Sequence, residues 1–163
     1  MAERPAVNAS PLIFRARAGL LDFLQLLGPE IVVPEAVAIE IQRRGPTDVT
    51  AQAIANIAWL AVTPTLPIPP QIQAWGLGSG ESSVLAWGYA HPGTEIVLDD
   101  LPARRCAAAF HLPVRGTLGL VLIAKQRGII PAARPVLMQL RQGGMFLFLS
   151  DKVMDQALAL VSE

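Results

Sequence analysis

Short β-branched runs alternate along the chain with longer stretches whose apolar residues recur at helical spacing. The short runs predict strands at 6–9, 30–33, 94–98, 113–115 and 145–149. The longer stretches predict two short helices over 11–27, divided near Gly19, and then helices at 34–44, 51–59, 81–90, 101–111, 117–127 and 131–141, with a last one capped by Ser150. Ser10 is the predicted cap of the first helix, with Pro11 at its first position.

Strands that alternate with helices predict an α/β fold. We expect three layers, α/β/α, with a mostly parallel central sheet and helices on both of its faces, in a single domain over 1–163. The proline-rich stretch 63–70 is predicted to be an extended arm rather than a regular element. In sheets of this kind, the chemistry collects at the carboxyl ends of the strands.

Composition narrows the classes of function. Thirteen basic and thirteen acidic residues give a formal net charge of zero, which argues against a protein that attracts nucleic acid by an overall positive field. One cysteine and two histidines argue against cysteine- or histidine-based metal sites, so carboxylates would have to hold any metal. The start of the chain lacks a secretory pattern and no apolar run is long enough to cross a membrane, so we expect a cytoplasmic, soluble protein.

Two glutamates stand out among the acidic residues. Glu40 lies on a predicted helix that is apolar almost all round, where a carboxylate is costly unless it is paired or binds a cation. A pair with Arg44 one turn later is the alternative. Glu81 follows a glycine-rich run, 76–80, at the start of a helix, where the helix dipole alone could also account for it.

An aspartate doublet follows the strand predicted at 94–98. Adjacent side chains point in opposite directions, so one of Asp99 and Asp100 would face the crevice while the other caps the next helix; alternatively, both cap that helix. Together with Asn8, Glu40 and Glu81, the doublet is expected to surround one crevice at the strand ends. Such a cluster needs a cation, and Mg²⁺ or Mn²⁺ is the natural choice because hard ions prefer oxygen ligands.

Several motifs follow one another in a fixed order along nearly the whole chain. They are VNASPLI at 7–13, VVPEAV at 32–37 continuing to Glu40, LGSGE at 77–81, LDD at 98–100 followed by Ala103 and Arg104, VRGTLG at 114–119, and the segment 124–131. In this order they resemble the motifs of PIN-domain proteins, in the branch of predicted nucleic-acid-binding proteins related to the toxins of VapBC-type toxin–antitoxin pairs.

The resemblance implies a divalent-metal-dependent ribonuclease in which Mg²⁺ or Mn²⁺ activates water to attack an RNA phosphodiester. Glu40, Glu81 and Asp99 would be the catalytic and metal-binding acids, Asp100 remains a second candidate for the last position, and Asn8 stands at the first. Ser10 and Thr117 would be polar neighbours that orient a ligand or water. Partners would be RNA and a small antitoxin protein, and we expect a homodimer.

A possible RNA-binding patch comprises Arg104, Arg115 and Lys125, with ordinary surface charge as the alternative.

The chain departs from the family pattern at its first acid, which is Asn8 here. Asparagine keeps a carbonyl oxygen but brings no charge, so metal affinity should fall, and it cannot act as a general base. The alternative function is therefore a catalytically impaired PIN-like module that binds RNA or another partner. A third interpretation is an α/β protein that binds a small ligand in the same crevice.

Overall fold

A central sheet of five short strands organises the protein, and the structure, a computed structural model, describes residues 4–142 and 150–163. The strands are β1 (Ala6–Val7), β2 (Ile31–Pro34), β3 (Leu60–Thr63), β4 (Ile96–Val97) and β5 (Val114–Arg115). Their order in the sheet is β3-β2-β1-β4-β5, and every pairing is parallel. The predicted α/β class with a parallel central sheet is therefore confirmed.

Helices connect the strands and flank the sheet. They are α1 (Ala9–Ala18), α2 (Glu35–Gln42), α3 (Val49–Asn56), α4 (Pro70–Gln73), α5 (Ser79–Ala90), α6 (Leu101–Ala109), α7 (Thr117–Gln126), α8 (Arg134–Gln142) and α9 (Asp151–Ala159), with a 3₁₀ helix at Leu21–Leu26. The predicted break at Gly19 is confirmed, since this residue ends α1 in the left-handed conformation that glycine adopts easily. None of the helices within 4–142 and 150–163 is long and apolar enough to cross a membrane.

The structure revises two predicted elements and confirms one predicted helix cap. Strand β3 lies between the helix predicted at 51–59 and the arm predicted from residue 63, and it was not predicted because only Leu60 of this edge strand is buried and its pattern is weak. Helix α1 begins at Ala9, so Ser10 lies inside its first turn and is not the cap. Ser150 does cap the last helix, through its Oγ and the N–H of Val153. The strand predicted at 145–149 falls outside the described residues.

The buried apolar side chains form two clusters. One cluster of buried side chains lines the sheet and includes Leu12, Val37, Leu85 and Leu98. A second cluster packs α1 and α7 against α8 and α9, around residues such as Leu137 and Leu158. Both ends of α1 are thereby fixed by packing, and with them the residues that follow β1.

The strand order creates a crevice at one edge of the sheet. The chain leaves β1 for β2 and β3 on one side, and then crosses back to β4 and β5 on the other. At such a switch point the helices that follow β1 and β4 diverge and leave a crevice at the carboxyl ends of the strands. Asn8 follows β1 directly, and Asp99 follows the end of β4 by one residue.

Candidate metal centre

Asn8 is the innermost polar side chain at the end of β1. Its backbone N–H donates to the carbonyl of Val97 at 3.1 Å, which continues the pairing of β1 with β4. The residue is 1% exposed, and its Oδ1 has no hydrogen-bond partner among the described residues. Its Nδ2 donates to Glu81 Oε1 over a long 3.4 Å. A buried carbonyl oxygen without a partner is costly, so a water, a ligand or an ion is expected to complete its contacts.

Glu40 reaches the same place from α2. A Cβ atom added to Gly80 would lie 2.8 Å from Glu40 Oε2 and 3.2 Å from Asn8 Oδ1. Both oxygens thus lie against Gly80, in the first turn of α5, where the absence of a side chain leaves room for them. Glycine at 80 keeps this space open, and the carboxylate of Glu81 lies next to it on the same turn.

Glu40 and Glu81 line the same cleft and influence each other electrostatically. The pKa of Glu40 is raised above its ordinary value, first by partial burial of its carboxyl and then by the negative charge of Glu81; the positive charge of Arg43 opposes both effects. Glu40, Arg43 and Glu81 line a cleft of about 450 Å³ that opens between α2 and the start of α5. A cation bound there would relieve the repulsion between the carboxylates.

These donors suit a hard divalent cation. They comprise two carboxylates and one amide oxygen, all of them oxygen ligands, and one of the three is buried with an unused acceptor. The two formal negative charges match the charge of one divalent ion. The third negative charge that the family pattern would supply is missing at Asn8.

The aspartate doublet does not join this group. Asp99 accepts hydrogen bonds from the backbone N–H of Thr117 at 2.7 Å and from its hydroxyl at 2.6 Å, so both carboxylate oxygens are engaged at the start of α7. Asp100 caps α6 by accepting from the N–H of Ala103 at 3.0 Å. Within residues 4–142 and 150–163, no three acidic, histidine or cysteine side chains form a group that could share one ion.

The structure brings Asn8, Glu40 and Glu81 together around Gly80. The carboxylates of Asp99 and Asp100 are instead engaged by hydrogen bonds at the starts of α7 and α6.

Comparison with known families decides what kind of fold carries this centre. A family model described as a PIN domain matches residues 5–163. The chain belongs to the PIN-domain family. No curated protein matches it. The PIN fold is in general a nuclease fold whose members depend on a divalent metal, which agrees with the oxygen-only donor set at the switch point of this PIN domain.

The basic residues predicted to touch RNA are engaged elsewhere in this PIN domain. Arg115 pairs with Glu95 at 2.7 Å, and Lys125 donates to the carbonyl of Pro131 at 2.7 Å. Arg104 donates to the carbonyl of Leu98 at 3.1 Å and borders Gly116 together with Asp99. All three side chains thus have partners within the protein.

Sequence reasoning missed Arg15 of α1. This side chain is 1% exposed, donates to the carbonyl of Pro11 at 2.9 Å, and has no partner for its Nη2 among the described residues. Burial lowers its pKa to about 10, although the negative charge of Asp99 acts in the opposite direction. The available signal was spacing: Arg15 lies three residues from both Leu12 and Ala18 and so shares the buried face of the helix.

Arg43 was also missed, although it lines the cleft that contains Glu40 and Glu81. Its position three residues after Glu40, directly after the end of α2, was the available signal, because residues at this spacing are neighbours on a helix surface.

Proposed function

We propose that this PIN domain is a divalent-metal-dependent ribonuclease whose ion is held by Asn8, Glu40 and Glu81. The observation that carries the proposal is the buried, unpartnered Oδ1 of Asn8 beside the Glu40 carboxylate at Gly80. A bound Mg²⁺ or Mn²⁺ would supply activation of water and stabilisation of the charge that develops on a phosphodiester under attack. RNA as the substrate follows from the resemblance to the toxin branch of the family.

The chain's own residues would act as follows. Glu40 and Glu81 provide the negative charge of the site, and a bound cation would relieve their mutual repulsion. The amide of Asn8 donates to Glu81 and so orients one carboxylate, while its Oδ1 remains available as the innermost donor. Asp99 is a positioning residue that fixes α7, and thereby the far wall of the crevice, through Thr117.

A catalytically impaired module is the second candidate, and one specific observation favours it. Asn8 brings no charge to the position nearest the sheet, and its Nδ2 occupies one oxygen of Glu81. A site with two charged ligands should bind the ion more weakly than a site with three. Under this alternative, the fold and RNA binding persist while cleavage is absent.

A cleavage assay separates the two candidates. Purified protein is incubated with single-stranded RNA and Mg²⁺ or Mn²⁺, beside the variants Glu81→Gln and Asn8→Asp. Asp100→Asn serves as a matched control, because it also removes one carboxylate but keeps a good helix cap. The proposal predicts cleavage by the wild type and the control, and loss of cleavage in Glu81→Gln.

The outcomes against the proposal are equally distinct. A silent wild type that gains cleavage on Asn8→Asp would establish the impaired module. Cleavage by Glu81→Gln at the wild-type rate would remove the proposed site altogether.

We further propose that the chain acts as a toxin restrained by a small antitoxin protein, and that it forms a homodimer in the cytoplasm. The support is the resemblance of its ordered motifs to the toxin branch of the family. A short reading frame directly upstream, whose product restores growth when the two proteins are expressed together, is the expected result. Growth inhibition that this product does not relieve would count against the antitoxin. A monomer in light scattering would count against the homodimer.

A further inference from the structure

Arg43 stands at the mouth of the carboxylate site. It follows the last residue of α2 and lines the cleft of about 450 Å³ together with Glu40, Gly78, Ser79 and Glu81. Its charge is felt inside the site, since it lowers the pKa of Glu40 against the two effects that raise it. Arg43 therefore shares the wall of the cleft with both glutamates and forms no ion pair with either of them.

The side chain of Arg43 is also free to bind something else. It is exposed, and within the described residues its guanidinium has no hydrogen-bond or ion-pair partner. The next residue offers a contrast, because Arg44 pairs with Asp48 at 2.9 Å. The three basic residues predicted from the sequence to contact RNA are likewise engaged.

A nucleic acid that binds at this cleft needs a positively charged side chain beside the two glutamates. The net charge of the chain is zero, so there is no overall field to draw a nucleic acid in, and two glutamates at the site repel phosphate. Arginine presents a planar fork of donors that matches the oxygens of a phosphate. A free guanidinium on the rim of an acidic site can hold a strand without neutralising the carboxylates that would bind the ion.

We infer that Arg43 binds a backbone phosphate of the RNA strand next to the bond that lies at the carboxylate site. The inference rests on the proposed function for the identity of the strand. It adds a phosphate-binding position at the C-terminal end of α2 and makes Arg43 a substrate-binding residue. The strand would then pass over the C-terminal end of α2 and enter the cleft towards Gly78 and Ser79.

Binding measured without metal tests this position separately from cleavage. Fluorescence anisotropy of a labelled single-stranded RNA is recorded in EDTA for the wild type, Arg43→Gln, Arg43→Lys and the matched control Arg44→Gln. One lost phosphate contact lowers the slope of log affinity against log salt by about 0.7, which corresponds to roughly eightfold weaker binding at about 50 mM salt. We expect Arg43→Gln to show this loss and Arg43→Lys to retain most of the affinity. Arg44→Gln should bind the RNA as the wild type does.

Several results would overturn the inference. They are an unchanged affinity and salt slope in Arg43→Gln, an equal loss in Arg44→Gln, or the absence of RNA binding by the wild type. Failure of the ribonuclease proposal looks different: the RNA is bound and Arg43→Gln weakens binding, but no metal promotes cleavage. If cleavage does occur, Arg43→Gln should raise KM and leave kcat unchanged, because the contact holds the strand in ground state and transition state alike.

Discussion

Replacement of Asp99 by alanine should destabilise the protein far more than the same change at Asp100. Asp99 accepts two hydrogen bonds from Thr117, which is wholly buried, and it supplies negative charge near the buried guanidinium of Arg15. Asp100 accepts one hydrogen bond, as the cap of α6. The two residues are adjacent in sequence and differ chiefly in what their carboxylates hold.

The magnitude follows from these contacts. Hydrogen bonds to charged groups contribute roughly 1.5–3 kcal/mol each, and Asp99 accepts two of them from Thr117. We therefore expect Asp99→Ala to lower the free energy of unfolding by about 3–6 kcal/mol, whereas loss of a helix cap in Asp100→Ala costs about 1 kcal/mol. Against a typical total of about 5–15 kcal/mol, the first change is severe.

Equilibrium unfolding in urea measures both values. A further replacement, Arg15→Met, removes the buried charge, so the double variant Arg15→Met/Asp99→Ala should lose less stability than the sum of the two single changes. Coupled pairs typically deviate from additivity by about 0.5–3 kcal/mol. Equal losses at Asp99 and Asp100, or additivity with Arg15, would refute the role assigned to Asp99.

Three further predictions concern the site and its surroundings. Gly80→Ala should weaken Mn²⁺ binding with helix content by circular dichroism unchanged, because the added Cβ would displace the carboxylate of Glu40 and crowd Asn8; undiminished binding would contradict this. In metal-free buffer, Glu40→Gln should stabilise the fold at pH 7 and lose that advantage near pH 4. The pKa of Glu40 is raised in the folded state, so ionisation of its carboxyl opposes folding as the pH rises above about 4.5. Urea unfolding that shows the same difference between wild type and variant at both pH values would contradict this prediction. Cys106 is buried and its pKa is raised, so a thiol reagent should label it only after unfolding, and rapid labelling of the native protein would argue against the packing of α6.

Local patterns were enough to predict most of the fold. The β-branched run at 30–33, the glycine at 19 and the cap at Ser150 act through neighbours within a few residues, so their signals are present in the sequence. Strand β3 was missed because an edge strand buries little, and its pattern resembles that of a loop next to prolines.

The candidate site was predictable only in part, for a physical reason. Asn8 and Glu81 lie next to recognisable strand or turn signals, and Glu40 is conspicuous on an apolar helix. The orientation of the doublet depends instead on Thr117, which is eighteen residues away and is brought to Asp99 by the pairing of β4 with β5. No local rule contains that contact. The burial of Arg15 depends in the same way on elements that are distant in sequence.

Calorimetric titration of Mn²⁺ into metal-free protein tests the central claim most directly, because it measures the ion at the proposed donors without requiring cleavage. The account predicts that Glu40→Gln and Glu81→Gln each weaken binding by more than about tenfold, the lower end of the loss seen even for indirect partners of metal ligands. Asn8→Asp should tighten binding, since it adds a third charged ligand, and Asp100→Asn should bind as the wild type does. Wild-type affinity in both glutamate variants, or weaker binding in Asn8→Asp, would contradict it.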